Sequence, residues 1–386
     1  MAHAADIIIE AVHAADYGIG LSAPQIDFGR LCGRRDAIVS QLREGVEMLL
    51  EGVNIIHGEA RFTGPATVEV NGETLTADRI IIATGSSPSS LPIPGAEFAI
   101  TSDGLLSMES LPSSLAIIGA GVIGMEFASI FARLGVSVTV VEYLKEILPQ
   151  FDKDMAKRLR QAVAATGVTF ITGAAVTAIE PGKIIYTSGA KSGDVSADVI
   201  AVATGRRPNL PEGLDKAGIE VTERGAIKVD RNTMQTTADN VYAIGDVNGI
   251  CMLAHAASAQ ARIVAGENVV TDTVPSVVFT YPEAAIAGMT EQQCKDAGMT
   301  VKSIKVPFRG NGKALTMGQP EGVVKLTVDA ETSAVAGCQI IGPHAGDLIQ
   351  EVAVVIANEL SVNAITKTIH PHPTLCEAIH AAAMLY

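Results

Sequence analysis

A chain of 386 residues exceeds one ordinary core and points to two or three domains of roughly 150 residues each. It is 48% apolar but only 4% aromatic, with no tryptophan and 37 glycines; such small and β-branched stock suits parallel sheets buried on both faces. A net charge of −14 excludes a nucleic-acid backbone or an anionic membrane as the main partner.

The start, "MAHAADIIIEAVHAAD", has no basic leader, and Asp6 and Glu10 interrupt its apolar run, so a signal peptide is not expected. Apolar stretches such as "EVAVVIANEL" are broken by acids long before a membrane-spanning length. Cys32, Cys251, Cys294, Cys338 and Cys376 are far apart and fit neither a disulfide scaffold nor a zinc site. The expectation is a soluble cytoplasmic α/β protein with no metal.

Two segments repeat. "ADRIIIATGSSP" from Ala77 and "ADVIAVATGRRP" from Ala197 share A-D-x-I-x-x-A-T-G-x-x-P. Each reads as a buried strand delivering a tight turn at its carboxyl end, where open α/β sheets bind ligands. Two ordinary strands would explain the apolar runs but not the shared Thr-Gly and proline, so duplicated nucleotide-binding domains are the better account. Ahead of the second copy, "SSLAIIGAGVIGMEFASIFARLGVSVTVVE" reads as strand, Gly119-x-Gly121-x-x-Gly124, helix and a second strand ending in Glu142. Gly119 permits the turn, Gly121 admits a pyrophosphate to the backbone, and Gly124 lets helix and strand pack closely. The helix amino terminus offers free N–H groups to the phosphates. Glu142 is placed to accept from an adenosine ribose and to repel a 2′-phosphate, which favours NAD over NADP. The first copy has no such loop: "DYGIGLSAPQ" follows no strand and lacks the third glycine.

Farther on, "TTADNVYAIGDV" places a strand before Gly245-Asp246, whose carboxylate suits a ribitol or ribose hydroxyl. "CMLAHAASAQARIVAGENV" reads as a helix beneath a bound ligand. From about Pro275 the pattern changes to a strand ("SVVFTYPEAAIAGMT"), a hairpin ("GVVKLTVDAETSAVAGCQIIGP") and an amphipathic helix ("AGDLIQEVAVVIANEL"). The chain closes on "TIHPHPTLCEAIH". His372 and Glu377 straddle a helix start there, so the carboxylate could fix the ring and stabilise its charge for proton transfer. A surface turn ranks second and a metal third, because prolines flank His372 and no third ligand has suitable spacing.

Taken in order, "IIATGS", "GAGVIGMEFA", "VTVVE", "ATGRRPN", "VYAIGDV", "MLAHAA", "VVFTYPE", "AGCQIIGPHAGDLIQE" and "HPHPTLCEA" resemble the pyridine nucleotide–disulfide oxidoreductases. Within that family the resemblance is closest to the branch that oxidises dihydrolipoyl groups, and it runs along essentially the whole chain. It implies two Rossmann-like nucleotide-binding domains, the first incomplete, and an α+β dimerisation domain. The implied bounds are 1–107 with 237–274 for an FAD domain, 108–236 for an NAD domain and 275–386 for dimerisation. Ala60, Thr84, Gly85, Ser86, Asp246, Met252, Leu253, Ala254 and His255 match positions that line FAD. Gly119, Gly121, Val122, Ile123, Gly124, Glu126, Glu142, Val176 and Gly205 match positions around NAD. His372 and Glu377 match the acid/base pair. The implied partners are a second copy and a lipoyl-bearing protein of a 2-oxoacid dehydrogenase or glycine-cleavage complex.

The departures bear on activity. The family begins with a strand and glycine loop for FAD, then a redox C-x-x-x-x-C and a nearby lysine. This sequence corresponds to the portion after that lysine and contains no C-x-x-x-x-C. The comparison therefore implies weak FAD binding and no turnover by this chain alone. Pro371, Cys376 and Ala259-Gln260 are smaller departures. Glutathione and mercuric reductases are disfavoured by Glu142, and the ending "AAAMLY" lacks the cysteine pair of the latter. A non-catalytic module that binds NAD and dimerises is the alternative from another class.

Overall fold

The computed structural model describes residues 1–271 and 273–386, and packing divides the chain into two units. The first holds Met1–Ala37, Ser90–Thr204 and the described residues of Asp272–Tyr386; the second holds Ile38–Ser89 and Gly205–Thr271.

In the first unit, "SSLAIIGAGVIG" becomes strand Ser114–Ile118, a glycine loop and helix Val122–Arg133. Leu115, Ala116, Ile117 and Ile118 are all buried, as a strand covered on both faces demands. The parallel sheet runs in the order Val199–Val202, Ser114–Ile118, Ser137–Glu142, Thr169–Thr172. Met125, Ala128 and Phe131 turn one face of the helix into the core. Truncating Phe131 to alanine would cost about 3–5 kcal/mol through lost burial and a residual cavity. The helix stops at Leu134, and Gly135 continues in a left-handed conformation.

The strands of the two repeated segments fall in different units, Val199–Val202 in the first and Ile80–Ile82 in the second. Ile80–Ile82 belongs to the second unit and pairs in parallel with Val241–Ala243. That unit also carries the antiparallel sheet Ala60–Gly64, Thr67–Val70, Glu73–Thr76, over a small core of Phe62, Ile82, Leu214, Ile227, Val241 and Val247.

The carboxyl-terminal part of the first unit is a five-stranded antiparallel sheet. Its order is Ser276–Val278, Glu283–Gly288, Val335–Gly342, Val323–Asp329, Val301–Pro307. The segment read as one strand, "SVVFTYPEAAIAGMT", is two strands separated at Phe279–Pro282. The two strands pair antiparallel with each other, Val278 opposite Ala284, so the chain reverses here and Pro282, with no N–H to give a ladder, sits in the turn. Helix Ala345–Ala357 covers the sheet with Ile349, Val352 and Val355, and helix Glu377–Met384 packs on Val301–Pro307 and Val323–Asp329.

One buried charge cluster ties this sheet to the segment between parallel strands Ser137–Glu142 and Thr169–Thr172. Lys325, whose side chain is only 2% exposed, places Nζ 2.8 Å from Asp152, 2.9 Å from Glu291 and 3.3 Å from Asp154. Gln339 donates to Asp152 at 2.6 Å and accepts from its backbone N–H at 3.0 Å. Burial alone would lower the lysine's pKa, but hydrogen bonds from its ammonium to Asp152 and Glu291 outweigh it and raise the value.

Candidate functional site

The glycine loop is shaped by close approach. Gly119 has φ +106°, and a Cβ there would meet the carbonyl oxygen of Ala203 at 2.6 Å. A Cβ on Gly124 would meet the carbonyl oxygen of Gly119 at 2.0 Å, so helix and strand pack only with hydrogen at that position. Gly121, by contrast, faces open space. A pyrophosphate fits such a cradle, with the first N–H groups of helix Val122–Arg133 directed at it. Val122 and Ile123 form the first turn of that helix.

Glu142 ends its strand buried beneath the loop. One carboxylate oxygen accepts from Ala120 N–H at 2.6 Å and the other from Leu144 N–H at 2.7 Å. The side chain thus holds the loop, and each oxygen keeps a lone pair for a further donor. Glu126 points elsewhere: it accepts from Phe279 N–H at 3.0 Å, and burial raises its pKa despite that bond. Val176 lies in strand Ala175–Glu180, while Gly205, with φ +127°, opens the second unit.

The residues matched to FAD all lie in the second unit. Ala60 begins its strand, and Thr84 and Gly85 follow strand Ile80–Ile82. Thr84 donates its hydroxyl to the Asn209 carbonyl at 2.5 Å. Ser86 donates to Asp246 at 2.5 Å, and Arg206 donates to Ser86 Oγ at 2.7 Å and to its carbonyl at 2.6 Å. Asp246 therefore offers its other oxygen to a ligand hydroxyl, which fits a ribitol. Met252 and Leu253 precede helix Ala254–Val264, and Ala254 and His255 form its first turn. Two features were missed from sequence: the Arg206–Ser86–Asp246 chain, and the role of buried Gln260, noted there only as a departure, which accepts from Gly245 N–H at 2.7 Å and from Asn248 at 2.8 Å. The shared "ATGSS" and "ATGRR" ends were the available signal for the first.

The terminal histidines divide among separate partners. His372 Nδ1 lies 3.0 Å from Glu377 Oε1, with its side chain 78% exposed. Glu377 also accepts from Thr374 N–H at 2.9 Å, and this bond, then the one from His372, lowers its pKa. The carboxylate is acceptor-only, so Nδ1 carries the ring proton in this contact and Nε2 is left to accept one. His370 lies 2.8 Å from Glu351 and 3.0 Å from the Thr368 carbonyl, and its ring centroid is 4.8 Å from that of His380. Among the described residues, no group of three His, Cys, Asp or Glu side chains could hold a metal ion.

Comparison with known proteins covers nearly the entire chain. Residues 3–261 match the family model described as pyridine nucleotide-disulphide oxidoreductase, and 274–383 match the dimerisation domain of the same family. A dihydrolipoyl dehydrogenase of Thermus scotoductus is 41% identical over 399 residues, covering 99% of this chain and 86% of that protein. One from Geobacillus stearothermophilus is 38% identical over 394 residues, covering 97% and 83%. Among solved structures, the HOCl-induced flavoprotein disulfide reductase RclA of Escherichia coli superposes with a TM-score of 0.85 at 30% identity, covering 98% of this chain and 89% of that one.

Proposed function

This chain belongs to the pyridine nucleotide-disulphide oxidoreductase family, and on that premise we propose that it serves the oxidation of dihydrolipoyl groups, with electrons passing through FAD to NAD. The observation that carries the reading is the His372–Glu377 contact of 3.0 Å, with the ring exposed toward solvent.

Nε2 of His372 takes the proton from a dihydrolipoyl thiol, because Nδ1 is engaged with Glu377. Glu377 stabilises the imidazolium so formed and keeps the ring in one orientation. Thr374 N–H holds that carboxylate ionised and in place. On the nucleotide side, the loop Gly119 to Gly124 receives the NAD pyrophosphate and Glu142 the adenosine ribose. Ser86 and Arg206 fix Asp246 for a flavin ribitol hydroxyl. FAD, when bound, supplies the two-electron relay between thiol and nicotinamide. The expected assembly is a homodimer through residues 275–386, with a lipoyl-bearing protein as substrate. The domain bounds proposed for these roles are 1–107 with 237–274, 108–236 and 275–386, and the cytoplasm is the proposed location.

The test is reconstitution. Extending the chain at Met1 with a family-type segment of about fifty residues, carrying a glycine loop and a C-x-x-x-x-C, should give flavin absorbance and dihydrolipoamide-dependent NADH formation together. His372→Gln in that protein should depress turnover with dihydrolipoamide far more than NADH–flavin exchange. A flavin-loaded extended protein that forms no NADH from dihydrolipoamide would refute the reading.

A further inference from the structure

We propose that a basic cleft in the second unit binds a compact di- or triphosphate group, recognised by charge. The cleft has a volume of about 810 Å³ and is lined by Arg206, Arg207, Arg224, Lys228 and Arg231, with Glu223 as its one carboxylate among the described residues. Volumes of this order suit a small ligand. On a chain with 42 acidic and 28 basic side chains, five cations around one carboxylate is the reverse of the average surface.

Two of the five cations, Arg206 and Lys228, have carboxylate partners, and the other three have none among the described residues. Glu220 pairs with Lys228 at 2.8 Å from outside the lining. Asp230 turns into its own loop, accepting from Asn232 and Thr233 N–H at 2.9 Å each. Asp246 accepts from Ser86 and lies 3.9 Å from Arg206 through the same oxygen. Among the described residues, Arg207, Arg224 and Arg231 enter no ion pair. Their guanidinium forks therefore remain available for bidentate contacts to phosphate oxygens.

The backbone holds these cations apart on rigid supports. Arg206 and Arg207 stand on strand Arg206–Pro208, paired with Ser86–Pro88. Arg224 sits in a turn closed by Thr222 N–H to the Ala226 carbonyl at 2.8 Å. Among the described residues, no aromatic ring lines the cleft, so no stacking surface selects a nucleobase. Of the residues matched to FAD, only Met252 borders it, and none of the glycine-loop residues does.

Calorimetric titration of the 386-residue chain at low ionic strength, with NADH saturating, should find one pyrophosphate site per chain. Arg207→Gln and Arg224→Gln should each weaken binding by about tenfold, whereas Arg309→Gln, in the other unit, should not. Similar affinities for pyrophosphate and ADP through the same arginines support recognition by charge. ADP binding more than about tenfold tighter would place recognition in the base and overturn the inference. It also falls if pyrophosphate does not bind saturably, or if Arg309→Gln weakens binding as much as the cleft variants.

Discussion

Replacing Lys325 with methionine isolates the buried charge cluster. At 2.8 Å, one lysine–carboxylate contact amounts to about 6 kcal/mol at an effective dielectric of about 20, and several kcal/mol of ammonium desolvation oppose it. Removing the cation nevertheless leaves Asp152 buried and charged, with Gln339 at 2.6 Å and two amides of the Glu291–Gln292 turn at 3.3 and 3.4 Å as its remaining donors. Stranding one partner of a buried pair costs about 3–5 kcal/mol; the remaining donors place this case near the lower end. Hydrogen exchange followed by mass spectrometry should then show amides of Val323–Asp329 exchanging about a hundredfold faster, since about 1.4 kcal/mol is a factor of ten. Adding Asp152→Asn should recover part of the loss by removing the stranded charge. Glu291 gives an independent readout in pH. Its carboxyl is held down at about 2, against an ordinary 4.5, by Lys295 first and by Lys325. A depressed carboxyl stabilises the fold above its unfolded value, and that contribution disappears as pH falls from about 4.5 through about 2. Lys325→Met should shrink this acid-dependent component. Exchange rates within about threefold of the parent would refute the account of the cluster.

Glu142→Arg should shift cofactor preference toward NADP(H) by about tenfold, because like-charge repulsion becomes a charge-assisted contact; titration with both reduced cofactors measures it, and tighter NADPH binding by the parent would sink the assignment. Gly124→Val should abolish NADH binding and lower the melting temperature, since its Cβ would lie 2.0 Å from the Gly119 carbonyl oxygen. Sedimentation should find a homodimer at micromolar concentration, consistent with exposed Val354, Leu360 and Ile369 on the carboxyl-terminal part; a monomer would reject the dimer. The 386-residue chain by itself should not turn over dihydrolipoamide with NAD. Its five cysteines are all unpaired, so the chain offers no disulfide for a substrate thiolate to attack.

The strand–loop–helix–strand of residues 114–142 was legible because its determinants are local. A β-branched run, three glycines at fixed spacing and a terminal acid each act within a few residues of one another. Helix Ala254–Val264 and the hairpin of Val323–Asp329 with Val335–Gly342 were readable for the same reason. His372 and Glu377 are five positions apart across a helix start, so their meeting was also within reach of sequence reasoning. Helices Ala2–His13 and Phe28–Leu49 were not anticipated, and no glycine or cap marked them as sharply. The single strand expected at "SVVFTYPEAAIAGMT" overlooked what Pro282 does to a ladder.

By itself, then, the sequence determined the elements whose chemistry is short-range: the glycine loop ahead of its helix, the repeated Ala-Thr-Gly turns and the histidine–glutamate pair. Only the tertiary structure decided what the charges do. Lys325 lies 173 positions from Asp152, and the arginines of the basic cleft come from strand Arg206–Pro208 and from later positions 224 and 231. A charged residue has the same local propensity whether it ends in solvent, in a buried pair or beside a ligand. Its role is set by desolvation and by partners that long-range folding brings within hydrogen-bonding distance.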